Sequence, residues 1–407
     1  MARPDRPFIT TVAAAVVTML TGIMLLSGCG YGSANAAPTW VPKPDTLPPV
    51  GGPDPQLSTQ PEPGQGGGGR QGTGAPGQPG QAGDPNVVAS KLRAPWGLAT
   101  LPDGTALVGE RTTGRILRVA PDRSVPPQEV MRIAGLDGGG DGGLLGLAIS
   151  PSYREDRLVF GYLTTATDNR VVRFELGGIP TPIITGIPKG HTGNGGRIEF
   201  GPDDLLYVGT GDGDKPALAQ AHSSLAGKIL RVDQFGRPAR NNPDPSSAVY
   251  STGHGNVSGL CWNDDKELFA VENTGPTAEL NRIRAGTNHG WPAVRGKAHQ
   301  PDYVDPAQTF EANTAPIGGC AIIGFGLFAT SLTGQKLLAI TLDGTGSPGA
   351  VDPLLNHVYG RLRTVEAASD GALWLTTANH DAEGKAIPDD DRVIRILPPP
   401  DSTTSPV

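Results

Sequence analysis

The sequence predicts an all-β fold, a single six-bladed β-propeller over residues 86–397, and three observations predict it. An apolar run, a Pro/Asp/Gly turn and a second apolar run recur six times. The units return about every 45–60 residues, the period of propeller blades. Across the same stretch there is almost no sustained helical period. In the first unit, residues 96–99 lead through Pro102-Asp103-Gly104 to 106–108. In the second, 145–149 lead through Pro151 to 158–160. In the third, 197–200 lead through Gly201-Pro202-Asp203-Asp204 to 206–208. The fourth runs from 259–262 through Asn263-Asp264-Asp265 to 268–270, and the fifth from 319–323 through Gly324-Phe325-Gly326 to 327–329. The sixth runs from 364–367 through Ser369-Asp370-Gly371 to 373–375. Third runs, each with one arginine among apolar residues, follow at 116–119, 171–174, 229–232 and 393–396. Short strands joined by such turns read as hairpins. One blade cannot bury both faces, whereas a ring of blades does so and leaves only short edges. A ring also keeps about 310 residues in one domain, a size at which a single conventional core stops growing. A pair of β-sandwiches is the alternative, and six matched units count against it.

The N-terminus is for targeting. Arg3 and Arg6 precede a largely apolar stretch, 8–26, which ends in Leu26-Ser27-Gly28-Cys29. Positive, then apolar, then small is the order of a secretory signal. The terminal Cys resembles the lipobox of bacterial lipoproteins. That resemblance implies a leader over 1–28 and lipidation of Cys29, which anchors the mature chain to a membrane outside the cytoplasm. No other stretch is long and apolar enough to span a bilayer. Residues 29–85 are read as a disordered Pro/Gly-rich tether: apart from a few residues, they cannot bury enough surface to offset the entropy of ordering. About 50 residues of such coil span roughly 40 Å. Residues 398–407 read as a flexible tail. The net charge of −7 and the absence of a Lys/Arg cluster exclude a nucleic-acid-binding face.

Once Cys29 is lipidated, Cys261 and Cys320 remain, at equivalent places in units four and five. Two states are open to them in an oxidising compartment: a disulfide between neighbouring blades, or two buried thiols.

Several phrases resemble the soluble glucose/sorbosone dehydrogenases. They are Pro95-Trp96-Gly97-Leu98 with Glu110-Arg111, and Gly142-Gly143-Leu144-Leu145-Gly146-Leu147-Ala148. Gly195-Gly196-Arg197-Ile198, Gly209-Thr210-Gly211-Asp212 and Gly253-His254-Gly255-Asn256 follow in order. Glu279-Leu280-Asn281, Asn288-His289-Gly290-Trp291-Pro292 and Arg361-Leu362-Arg363 complete the series. The resemblance implies a six-bladed propeller that binds pyrroloquinoline quinone (PQQ) and Ca²⁺ and oxidises a sugar C–OH, with hydride passing to the quinone. It implies a histidine base oriented by an aspartate, with arginine and asparagine side chains on the acidic cofactor. Carried onto this chain, it assigns Asp212 as the orienting aspartate and Asn256, Arg361 and Arg363 as cofactor-binding. The carbonyls of Gly275 and Pro276 match the calcium pair.

Three positions depart from the pattern. The place of the base is Gly193, and the candidate catalytic base is His191, two residues earlier, to be oriented by Asp212. In a strand that offset moves a side chain by roughly 6–7 Å. Gly255 stands where an arginine is common. Asp141 takes the place of a longer Gln or Glu and is assigned to cofactor binding. Two functional readings follow, a PQQ-dependent dehydrogenase of an aldose or polyol, and a catalytically degenerate propeller that binds a glycan or envelope partner. A third, a calcium-assisted hydrolase, would rely on Asp212 and Glu272. His254 reads as structural, His289 and Trp291 as part of a packed loop, and Asp389, Asp390 and Asp391 as a solvated loop.

Overall fold

The computed structural model describes residues 83–381 and 383–398. The leader, Cys29, nearly all of the tether and the tail beyond 398 lie outside the described residues. The rest forms six four-stranded antiparallel sheets. Their innermost strands are Pro95–Thr100, Leu144–Ile149, Gly195–Phe200, Asn256–Trp262, Ile317–Ile323 and Leu362–Ala367. Each of the six apolar runs that open a unit lies within one of these strands, and each second run lies in the strand beside it. The innermost strands touch in sequence order, and the sixth touches the first, closing a ring.

Closure uses a strand that the repeat does not announce. Val87–Ala89 pairs antiparallel with Val393–Ile396, with Val87 opposite Ile394. The outer edge of the sixth blade therefore comes from the start of the domain, so that both ends of the domain share one sheet.

The buried apolar side chains form six clusters, each shared by two adjacent blades. Leu107 and Ile116 of the first blade pack with Leu144 and Val159 of the second. Val88, Trp374 and Val393 pack with Leu98 and Val108 across the closure. The core is thus a set of layers between blades, which is why size does not force a second domain. The layers require close backbone approach near the axis. A Cβ on Gly146 would stand 2.2 Å from the carbonyl oxygen of Gly196 in the next blade, so no larger residue fits.

Cys261 and Cys320 are joined by a disulfide between the innermost strands of the fourth and fifth blades, with Cα atoms 5.9 Å apart. Arg197 of the third blade reaches across the ring to Glu366 of the sixth and also binds Glu199 at 3.1 Å. One guanidinium thus serves two carboxyl groups. Burial, with the charge of Glu366 beside it, pushes Glu199 up to about 8, against the pull of Arg197. The folded protein holds a proton there that the unfolded chain releases near 4.5. Stability from this group is therefore full below pH 4.5 and is lost as pH rises toward 8. Glu199→Gln is expected to flatten that part of the stability curve, measured by urea unfolding at fixed pH values across the window.

Candidate active site

A cavity of about 1010 Å³ opens at the end of the ring where the innermost strands begin. Ligand cavities run to about 1,000 Å³, so there is room for a cofactor-sized molecule. Trp96, Arg111, Asp141, His191, Arg361 and Arg363 line it. Five cationic and five anionic side chains face it in all, so recognition depends on where the charges sit rather than on their sum.

Four arginines line it, Arg93 among them, and the other three differ in how they are compensated. Arg361 is bound by Asp381 at 2.9 Å and by Glu383 at 3.2 Å. Arg111 spends one nitrogen on the carbonyls of Gly140 and Gly142, at 2.9 and 2.7 Å, and so props up the glycine-rich loop before the second blade. Arg363 has a longer ion pair than Arg361, 3.6 Å from Asp381, and lies over the Trp96 ring at 4.2 Å. Burial pulls its guanidinium down to about 10, opposed by Asp381 and assisted by Arg111 and Arg361. It remains a cation at neutral pH, with charge left over for an anion.

Asp141 welds two loops together. Its backbone N–H donates to the His191 carbonyl at 3.0 Å. Its Oδ2 accepts from the Gly193 N–H at 2.9 Å, and its Oδ1 accepts from Asn194. Burial nonetheless pushes its carboxyl up. Gly140 makes the junction possible, because at φ +56° its absent Cβ would overlap the His191 carbonyl.

His191 and Asp212 are not brought together. The loop carrying His191 is tied to Asp214, whose Oδ2 accepts from the His191 and Thr192 N–H groups at 2.6 and 3.0 Å. Asp212 accepts from Trp291 Nε1 at 3.0 Å and from the Asp214 N–H at 3.0 Å. Burial pushes Asp212 up, against the Trp291 hydrogen bond. The residue that faces Asp212 is Gly193, where a Cβ would lie 2.6 Å from Oδ1. Asn256 accepts from the Gly195 N–H at 2.8 Å, a link between blades. Gly275 and Pro276 sit on an exposed turn between two strands and do not line the cavity.

Glu272 belongs to a separate buried network. It accepts from His254 Nδ1 at 2.9 Å, the Gly255 N–H at 2.7 Å and Asn281 at 2.6 Å. His254 stacks on His289 at 4.9 Å. Burial drives both imidazoles down to about 3, so they stay neutral. Among the described residues no group of three His, Cys, Asp or Glu side chains converges as a metal site.

The reading of 389–391 as a solvated loop needs correction. Asp390 and Asp391 are buried, because this segment pairs with the chain around Leu92 and Asp390 binds Arg392. Trp96 and Arg111 stood in the opening phrase but were assigned no role. His380 and Asp381 carried no signal, since Asn379-His380-Asp381 matches no motif.

The fold and the cavity define a six-bladed propeller with a charged pocket, lined by both arginines and carboxylates, at one mouth of the ring. The chain belongs to the Glucose / Sorbosone dehydrogenase family, whose sequence profile matches residues 92–387. The PQQ-bound aldose sugar dehydrogenase of Streptomyces coelicolor is similar, with a TM-score of 0.73 and 42% identity over 76% of this chain and 95% of that one. Quinoprotein glucose dehydrogenase B of Acinetobacter calcoaceticus is 28% identical over 272 residues, 56% of each chain. An uncharacterized protein of Synechocystis sp. is 28% identical over 350 residues, 73% of this chain and 84% of its own.

Proposed function

We propose that this chain is a PQQ-dependent sugar dehydrogenase that acts outside the cytoplasm, held to a membrane by lipidated Cys29 and the 29–85 tether. The observation that carries the reading is Arg363, an undercompensated cation stacked on Trp96 in a cavity that Arg111 and Arg361 also line. PQQ is a flat tricarboxylate, and a buried guanidinium beside an aromatic face suits both its charge and its shape. When bound, PQQ would supply a two-electron acceptor for hydride from the carbinol carbon. The protein's own work is to hold the acid groups through Arg363 and Arg111, to cover one face with Trp96, and to offer a proton acceptor to the sugar hydroxyl. Two imidazoles, His191 and His380, face the cavity. For calcium the fit is poor: Gly275 and Pro276 offer backbone carbonyls on a turn away from the cavity, and no step is assigned to the ion.

A second reading, a degenerate propeller that binds a glycan or an envelope partner, is favoured by Asp212, which is bonded to Trp291 rather than to an imidazole. Calorimetric titration of PQQ into the full chain in detergent, with and without calcium, separates the two. Micromolar or tighter binding is expected, and no heat of binding up to millimolar PQQ would leave the second reading.

A further inference from the structure

We infer that His380 is the proton acceptor of the cavity and that Asp391 is the residue that positions it. The inference rests on the dehydrogenase reading and goes beyond it by naming a base outside the family pattern.

The geometry is that of an imidazole backed by a fixed carboxylate. His380 Nδ1 lies 3.3 Å from Asp391 Oδ2. The Asp391 side chain is fully buried, whereas that of His380 is 50% exposed, so the far side of the ring is open to the cavity. Asp391 Oδ1 is held by Thr377 Oγ1 at 3.1 Å and by the Asn379 N–H at 2.6 Å. Asp391 Oδ2 is buried and makes no hydrogen bond within ordinary limits. A buried carboxylate oxygen without a donor is costly. The ring nitrogen beside it is the donor that would satisfy it, and such contacts tighten when a ligand fills the site. The backbone of Asp391 is also fixed, paired in both directions with Leu92.

The other histidines do not offer this. His254 and His289 are buried and stacked on each other. His222, His299 and His357 do not line the cavity. His191 lines it, but its carboxylate, Asp214, takes the backbone N–H and leaves the ring without a fixed partner. Most of the other charged groups on the wall around His380 are paired elsewhere, Arg93 being without an ion pair among the described residues. Asp390 is bound to Arg392, Asp381 and Glu383 to Arg361, and Lys91 to Asp389.

A carboxylate on Nδ1 keeps the proton there and leaves the Nε2 lone pair free. In the oxidation, the hydroxyl O–H bond breaks and its proton goes to Nε2. With PQQ bound as the two-electron acceptor, the carbinol C–H bond would break and its hydride, with the electron pair, would leave for that acceptor, the carbon–oxygen bond becoming a carbonyl. The imidazolium is stabilised by Asp391 and returns its proton to solvent through its exposed side.

The test uses the full chain with PQQ and calcium. His380→Gln is expected to lower kcat/KM by about 10²- to 10⁴-fold, the usual cost of a lost base. It should also remove the acid limb of the pH–rate profile and leave the calorimetric Kd for PQQ within about threefold. Rates near wild type with the acid limb kept, or a loss carried wholly by His191→Gln, would overturn the inference while the dehydrogenase reading stands. Failure of the wild type to bind PQQ would overturn both. ¹⁵N NMR of the cofactor-free protein gives an independent readout. His380 should show the Nδ1–H tautomer and lose it in Asp391→Asn, and an Nε2–H tautomer in the wild type would overturn the role of Asp391.

Discussion

Arg363→Ala is expected to weaken PQQ binding by about 30- to 5,000-fold, the equivalent of roughly 2–5 kcal/mol for truncating one side of a buried charge pair. The size of the effect follows from its surroundings. Arg361 is already served by two carboxylates and Arg111 spends a nitrogen on loop carbonyls, whereas Arg363 has one loose ion pair and an aromatic ring beneath it. Arg363→Lys is expected to recover only part of the loss, because an ammonium neither stacks on Trp96 nor presents a planar fork. Calorimetry on both variants measures this, with circular dichroism to confirm that the blades remain intact. Loss of less than threefold in Arg363→Ala would mean that the acid groups are held elsewhere.

Removing the Cys261–Cys320 disulfide has the largest expected effect on stability. The bridge closes a span of 59 residues and ties the fourth blade to the fifth beside the axis. Chain-entropy arguments put a loop of that length at about 4 kcal/mol. With an unfolding entropy near 2 cal/mol/K per residue, that is a fall in Tm of roughly 6 °C for a domain of this size. The Cys261→Ala/Cys320→Ala protein should show this shift by calorimetry, and the parent should show no free thiol at these positions by mass spectrometry after alkylation. Both cysteines are buried, so part of any loss is packing, and reduction of the parent separates the two contributions.

Much of the ring was legible because each blade repeats the same local problem. An apolar run, a turn and a second run make a hairpin whatever stands elsewhere, and six of them in order leave few other solutions. The closing strand was not legible. Val87–Ala89 is three residues long, too short for a period, and its partner lies some 300 residues away. The bridge from Arg197 to Glu366 is similar, because which blades face each other across the axis depends on how many blades close the ring.

The site was legible in its arginines and not in its histidine–carboxylate contacts. Arg361, Arg363 and Asp141 line one cavity with His191. The pairing of His191 with Asp212 depended on the path of the loop between them, and hydrogen bonds to Asp214 direct that loop elsewhere. Three consecutive aspartates read as solvated because charge is normally left in water, yet Asp390 and Asp391 are turned inward by Arg392 and the pairing with Leu92.

By itself the sequence determined the all-β class and the number of blades, since periodicity and turn chemistry act over a few residues and survive in any context, and its motif phrases carried the resemblance to the family. Only the tertiary structure decided which side chains share the cavity and which carboxylate meets which imidazole. Those contacts join loops from different blades, and their geometry exists only once the ring has closed and burial has set the cost of leaving each charge without a partner.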